Sequence, residues 1–195
     1  MSLVAFEFLD TRVKGIRWPG FVNFPEWNLR FYVRTRPDNG EPRRGVVFIR
    51  EFVPSRIIAS IAKSVYNEPY AAAEFRHQVT RTADGISACY TVHAGGREHT
   101  LRATARNELT GPAEGSPAHL LIEQRWGYGR SRRGKTLCYE VTHPRWRVFS
   151  GAACRPEVDW TALYGPEWAA LQRVEPFSTL LVEGSEITVS PAERC

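Results

Sequence analysis

The chain is 195 residues long, 43% apolar and 24% charged, with a formal net charge of +5. That is enough for one domain, 1–195, to bury a core of its own, and no run nears the roughly 18 to 20 apolar residues that cross a bilayer, so no membrane is expected among its partners. Of the 26 basic residues only Lys14, Lys63 and Lys135 are lysines; the arginines are interleaved with Asp and Glu rather than massed, so nucleic acid is not an expected partner either.

The opening MSLVAFEFLD has no basic stretch and carries Glu7, unlike a signal peptide, which makes the cytoplasm the expected compartment. Residues 2–9 alternate as a strand does. Residues 28–34 alternate more sharply: Leu29, Phe31 and Val33 share one face, and Asn28, Arg30, Tyr32 and Arg34 share the other. Turn chemistry at Arg36-Pro37-Asp38-Asn39-Gly40 leads into GVVFIRE, 45–51, which is apolar on both faces like a central strand. The period then changes. From Pro54, the residues Ile57, Ile58, Ile61, Ala62 and Val65 recur at helical spacing, predicting one long helix that ends near Asn67 and packs its apolar stripe on the sheet. Residues 86–93 and 97–104 flank a tight Gly95-Gly96 turn and form a hairpin. Residues 122–128 read as extended, 158–164 and 166–173 as short helices, and STLLVEG and EITVS as two closing strands. The fold class is therefore mainly β (α+β), an antiparallel sheet or barrel with one principal helix.

One stretch mimics a nucleotide site. GRSRRGKT, 129–136, supplies Gly129, Gly134, Lys135 and Thr136 at the spacing of a phosphate loop. Such a loop needs a helix after it, whose free N–H groups hold the phosphates. Here Leu137, Tyr139 and Val141 alternate with Cys138, Glu140 and Thr142, and Pro144 blocks helix growth. The stretch is a hairpin turn, and no cofactor is expected. Nor is a metal: His93 and His99 stand near enough to meet across their hairpin, but no third ligand is spaced to join them, and they read better as exposed strand histidines. Cys89, Cys138, Cys154 and Cys195 form no CxxC pair, and the first two read as small core residues.

Three stretches together resemble the YqjF-like family of the acetoacetate decarboxylase-like superfamily: FPEWNLRFYVR (24–34), RRGVVFIREFVP (43–54) with AKSVYNEPY (62–70), and IEQRWGYG (122–129) with YEVTHPRWRVF (139–149). The resemblance covers nearly the whole chain and implies a small β-barrel with a central pocket. Family members carry several dozen residues ahead of the strand that begins here at Ser2. The resemblance thus implies either a barrel lacking its N-terminal strands or a start assigned downstream; missing strands would leave an open edge, through which a homo-oligomer could form. In the decarboxylases, the resemblance implies, a lysine condenses with a β-keto acid, activated by a second lysine beside it. The matching stretch here is Asn67-Glu68-Pro69-Tyr70-Ala71, so a phenol and a methyl stand where the two amines would be. Lys63 is a helical turn or more away on the polar helix face. Lysine-dependent decarboxylation is not expected.

What remains is a polar set that the barrel would turn inward: Glu26, Asn28, Arg30 and Tyr32 from one strand, Arg50, Tyr66 and Tyr70 from the next elements, and Trp126 and Tyr128 with His143 as a further wall. Glu26 matches the family's pocket glutamate, Arg30 could hold a carboxylate, and Glu26 and Tyr70 are the candidate proton-transfer groups. The same strand face could equally be the wet side of a sheet, and Arg34 fits that better. Three functions stay open: a module binding a small molecule of unknown identity, a non-covalent acid–base enzyme acting on a carbonyl or carboxylate compound, and a scaffold with an occluded barrel.

Overall fold

Period-two segments and two-sided apolar runs outnumber helical ones, and the chain folds accordingly. The computed structural model describes residues 1–12, 15–17, 22–36, 40–131 and 133–195, leaving the side chains of 64–66 undescribed; most of the expected 36–40 turn, Lys14, and one residue of the 129–136 hairpin loop lie outside this set. In chain order the elements are β1 (Ser2–Phe8), β2 (Phe24–Thr35), β3 (Arg43–Val53), α1 (Arg56–Tyr66), β4 (Tyr70–Ala72), β5 (Glu74–Arg81), β6 (Gly85–Ala94), β7 (Arg97–Arg106), β8 (Leu109–Thr110), α2 (Pro117–Ile122), β9 (Trp126–Arg130), β10 (Thr136–Thr142), β11 (Val148–Phe149), β12 (Ala153–Glu157), α3 (Trp160–Tyr164), a 3-10 helix (Pro166–Arg173), β13 (Thr188–Val189) and β14 (Glu193–Arg194). They form two compact units, one of Met1–Phe75, Arg125–Val141 and Val189–Cys195, the other of Arg76–Gln124 and Thr142–Thr188.

The first unit is built on a sheet of order β1-β2-β3-β9-β10-β13, with β4 also on β3 and β14 also on β10. Most pairs are antiparallel, but β3 runs parallel to both β4 and β9, so the sheet is mixed at its centre. Between Leu29 and Arg30 the β2–β3 register slips: Leu29 faces Arg50, Arg30 faces Phe48, and Ile49 is the extra residue of a bulge. Six consecutive residues of β2, from Phe24 to Leu29, are buried, with Trp27 and Leu29 fully so. This strand is covered on both faces. α1 begins on Ser55, whose side chain accepts from the Ile57 N–H, and ends on Asn67 in the left-handed conformation (φ 54°). The expected apolar stripe is narrower than its sequence: Ala59 is buried with Phe24 and Val53, and Ile58 packs on them, but Ile57 is exposed. Cys138 is no free core residue either. It is disulfide-bonded to Cys195, two residues beyond Glu193, its register partner across β10 and β14.

The second unit carries the sheet β12-β7-β6-β5. The β6–β7 hairpin turns through Gly95 and Gly96, both at positive φ, as the sequence indicates. Its register sets Val92 opposite His99 and His93 opposite Glu98, so the two histidines point to opposite faces. His99 is wholly buried rather than exposed: its Nδ1 accepts from the Asp159 N–H and its Nε2 donates to the Ala94 carbonyl, as a neutral ring does. Residue 122 is not extended; it closes α2, which starts from a Ser116 cap followed by Pro117. The two closing strands reduce to an isolated bridge at Val182 and the short β13. No described helix is long and apolar enough to cross a membrane.

Candidate functional site

Registers within the first unit bring polar side chains into one row. Asn28 on β2 faces Glu51 on β3, and Glu51 faces Tyr70 on β4. Glu26 and Arg30 flank Asn28 at strand spacing on its own face. Glu26, Asn28 and Glu51 are each 2% exposed or less. This part of β2 is therefore interior, not the wet side of a sheet, whereas Arg34 further along is exposed. Glu68 precedes β4 and is also buried.

The hydrogen bonds run through the two phenols. Asn28 Nδ2 donates to Glu26 Oε1 (2.9 Å) and the Tyr70 hydroxyl donates to Glu26 Oε2 (3.1 Å). Tyr70 is hydrogen-bonded to Glu51 as well. One phenolic proton serves only one acceptor, so with Glu26 as that acceptor the second bond uses a proton on Glu51. From β10, the Tyr139 hydroxyl donates to Glu68 Oε1 (3.1 Å). Gly127 makes room for that ring: it is the register partner of Tyr139 on β9, and a Cβ there would overlap the phenol.

Three carboxyls withdrawn from water cannot all ionise cheaply. Burial, eased by the bonds from Asn28 and Tyr70 and by the Arg30 charge, raises Glu26 to about 7. Burial raises Glu68 to about 7, offset by the Tyr139 bond and reinforced by Glu26. Glu51 is pushed well above the carboxylate range by burial and then by the charges of Glu26 and Glu68. Burial, followed by the neighbouring carboxylates, pushes both Tyr70 and Tyr139 well above the ordinary phenol value, so both remain donors. The three carboxyls repel one another's charges and titrate as a coupled set, with Glu26 and Glu68 exchanging protons at about 7 and Glu51 pushed upward with them. Among the described residues no group of three or more His, Cys, Asp and Glu side chains is arranged to hold a metal ion.

Glu68 joins the cluster to an opening of about 550 Å³, whose lining also includes Val47, Phe48, Lys63, Asn67, Tyr128 and Arg130. Asn67 donates from its side-chain amide to the Arg130 carbonyl, and Tyr128 is hydrogen-bonded to Thr35 at 2.7 Å. Lys63 is exposed on α1 but faces the same opening as Glu68, nearer to it than its place on the polar helix face indicates.

Of the residues named from sequence, Glu26, Asn28 and Tyr70 meet directly, and Arg30 lies close enough for its charge to act on Glu26 and Glu51. Arg50 is exposed and, one residue from Glu51, points to the opposite face. Tyr66 ends α1, with its side chain outside the description. Trp126 is half-buried beneath the Arg43 guanidinium, 4.0 Å from the ring centre. His143 belongs to the second unit, where it stacks on Trp146 at 4.0 Å. Sequence reasoning passed over Glu51, Glu68 and Tyr139. Glu68 alone left a signal, adjoining the proline that matches the decarboxylase stretch.

Residues 1–186 match the family DUF2071, described as an uncharacterized conserved protein, which bears out the YqjF-like resemblance. No curated protein sequence matches the chain. Among solved structures, acetoacetate decarboxylase from Legionella pneumophila superposes with a TM-score of 0.50 at 9% identity, over 99% of this chain and 83% of that one. The enduracididine biosynthesis enzyme MppR, complexed with the condensation product of pyruvate and imidazole 4-carboxaldehyde, superposes at 0.45 with 14% identity, over 76% of this chain and 60% of that one. At such identities the likeness is one of fold: mainly β and acetoacetate decarboxylase-like.

Proposed function

The chain belongs to the DUF2071 family, and from its buried glutamate–tyrosine cluster we propose that it binds a small polar molecule at the Glu68 opening and exchanges a proton with it, without a covalent lysine intermediate. One arrangement carries this: Glu26 and Glu68 are buried, hydrogen-bonded to the Tyr70 and Tyr139 phenols, and raised by that burial to about 7, with Glu51 pushed upward in the same interior. Carboxyls poised near the working pH are what general acid–base chemistry needs. An opening of about 550 Å³ lies within the range of small-molecule sites and favours a ligand over an occluded scaffold. Glu68, which lines the opening, is the group that exchanges the proton with the ligand; Glu26 and Tyr70 set its charge from behind. Tyr70 and Ala71 stand where the decarboxylases are expected to place their amines, which supports reversible contacts only. A single 1–195 domain, a second copy on the open edge of β1, and a cytoplasmic setting remain parts of the same proposal.

The test is calorimetric binding of small amides, carboxylates and keto compounds across pH 6 to 8 in buffers of differing ionisation enthalpy. Binding should take up or release protons, and Glu68→Gln should abolish that linkage. Proton-neutral binding at every pH, unchanged in Glu68→Gln, would discard the acid–base role and leave a passive binding module.

A further inference from the structure

Besides Thr11 Oγ1, three buried polar atoms of the first unit have no hydrogen-bond partner among the described residues: Asn28 Oδ1, Glu51 Oε2 and Arg30 Nε. Buried polar groups are ordinarily satisfied, and each one left bare costs free energy. These three are neighbours. Asn28 and Glu51 are register partners across β2 and β3, and Arg30 is two residues from Asn28 on the same face. Phe48, the register partner of Arg30, also lines the Glu68 opening. The Asn28 amide is oriented by its donation to Glu26 Oε1; turned over, it would set an oxygen against that carboxyl. Hence Oδ1 is the atom left over. On Glu51 the bond to Tyr70 falls to Oε1, which leaves Oε2 as an acceptor.

The trio thus presents two acceptors and one cationic donor. Its complement is a group with two N–H donors and one carbonyl oxygen. We infer that Asn28 Oδ1, Glu51 Oε2 and Arg30 Nε form a preformed subsite for a primary carboxamide, its NH₂ shared between the two acceptors and its carbonyl on the Arg30 Nε–H. The inference rests on the proposal that the first unit takes a small molecule, and it adds that molecule's chemical class. A ketone fills the donor's need and leaves both acceptors bare; a carboxylate sets negative charge against Asn28 and Glu51. A site built to hydrogen-bond an N–H discriminates against analogues lacking it far more strongly than an apolar pocket discriminates by size.

The experiment titrates the ¹⁵N-labelled full chain with acetamide, N,N-dimethylacetamide, acetone and acetate through the millimolar range, following the Arg30 Nε–H resonance, assigned by its loss in Arg30→Lys. Acetamide should move that resonance saturably and bind at least about tenfold more tightly than dimethylacetamide or acetone. Glu51→Met, which removes the free acceptor at similar volume, should weaken acetamide by a similar factor while its spectrum stays folded, whereas Glu51→Gln, whose amide can donate to Tyr70 and keep an oxygen at that place, should bind it nearly as the wild type does. A resonance that no probe moves, meaning that water alone satisfies the trio, overturns the inference; so does equal response to acetamide and acetone. If Glu68-linked proton exchange persists with another ligand while Arg30 stays silent, only the carboxamide subsite fails. If both are lost, the small-molecule proposal fails with it.

Discussion

Replacing Glu68 by Gln isolates the cost of holding a carboxylate inside the first unit. The carboxyl keeps its proton to about 7 instead of the ordinary 4.5, so the folded state binds that proton more tightly than the unfolded chain does. A raised value of this kind contributes stability that is complete below about pH 4.5 and is lost as pH climbs through about 7. Each pH unit in that window is worth about 1.4 kcal/mol, and the full window about 3 kcal/mol. Glutamine does not titrate, and its oxygen still accepts from the Tyr139 hydroxyl that now bonds Glu68 at 3.1 Å. Glu68→Gln should therefore match the wild type at pH 4.5 and exceed it by about 3 kcal/mol at pH 8. Removing the charge also relieves Glu26, whose charge acts on Glu68, with the same sign. In urea, taking a slope of about 2 kcal/mol per molar for a chain of this size, the midpoint at pH 8 rises by about 1.5 M. Tryptophan fluorescence reads this, since Trp27 is fully buried beside the cluster. An equal gain at both pH values, or none at pH 8, would show that the carboxyl is not held protonated by burial.

Gly127→Ala sets a methyl into the Tyr139 ring; the phenol must leave Glu68, and the variant should lose about 1–3 kcal/mol, together with any proton-linked binding, read by denaturation and calorimetry. Borohydride reduction in the presence of a β-keto acid should leave Lys63 unmodified by peptide mass spectrometry despite its place at the opening; an adduct there would replace the acid–base mechanism with imine chemistry. Cys195→Ser opens a loop of 57 residues closed on Cys138 and should lower unfolding stability by up to about 4 kcal/mol under non-reducing conditions, by the chain-entropy relation. A variant as stable as the wild type would mean the bond constrains little.

Much of the architecture was legible because it rests on local chemistry. The helix announces itself through its period, although it begins after the Ser55 cap rather than with Pro54 in its first turn, and the β6–β7 hairpin through Gly95 and Gly96. The loop 129–136 reads as a hairpin because its far side alternates, and β9 and β10 pair across it in the expected sense. The site was half legible. Glu26, Asn28 and Arg30 could be chosen by alternation along one strand, but their cross-strand partner could not. Extending the outer ladder, in which Tyr32 faces Val46 and Arg30 faces Phe48, puts Arg50 opposite Asn28. The bulge at Ile49 advances the register by one and delivers Glu51 instead. Nothing local marks that residue as a bulge. Tyr139 was hidden differently: its role depends on the vacant side-chain position at Gly127, a partner visible only once the two strands are paired. His99 and Cys138 were misjudged for the same reason, since Asp159 and Cys195 reach them from far along the chain.

Gly127 also sets terms on descent. An aromatic ring occupies volume that its cross-strand neighbour must never claim, so the two positions are bound to drift together. A lineage that acquires any side chain at 127 has to shrink residue 139 first, and with it forfeits the donor to Glu68. Homologues of this chain should accordingly divide into those that keep glycine and phenol together and those that have abandoned both.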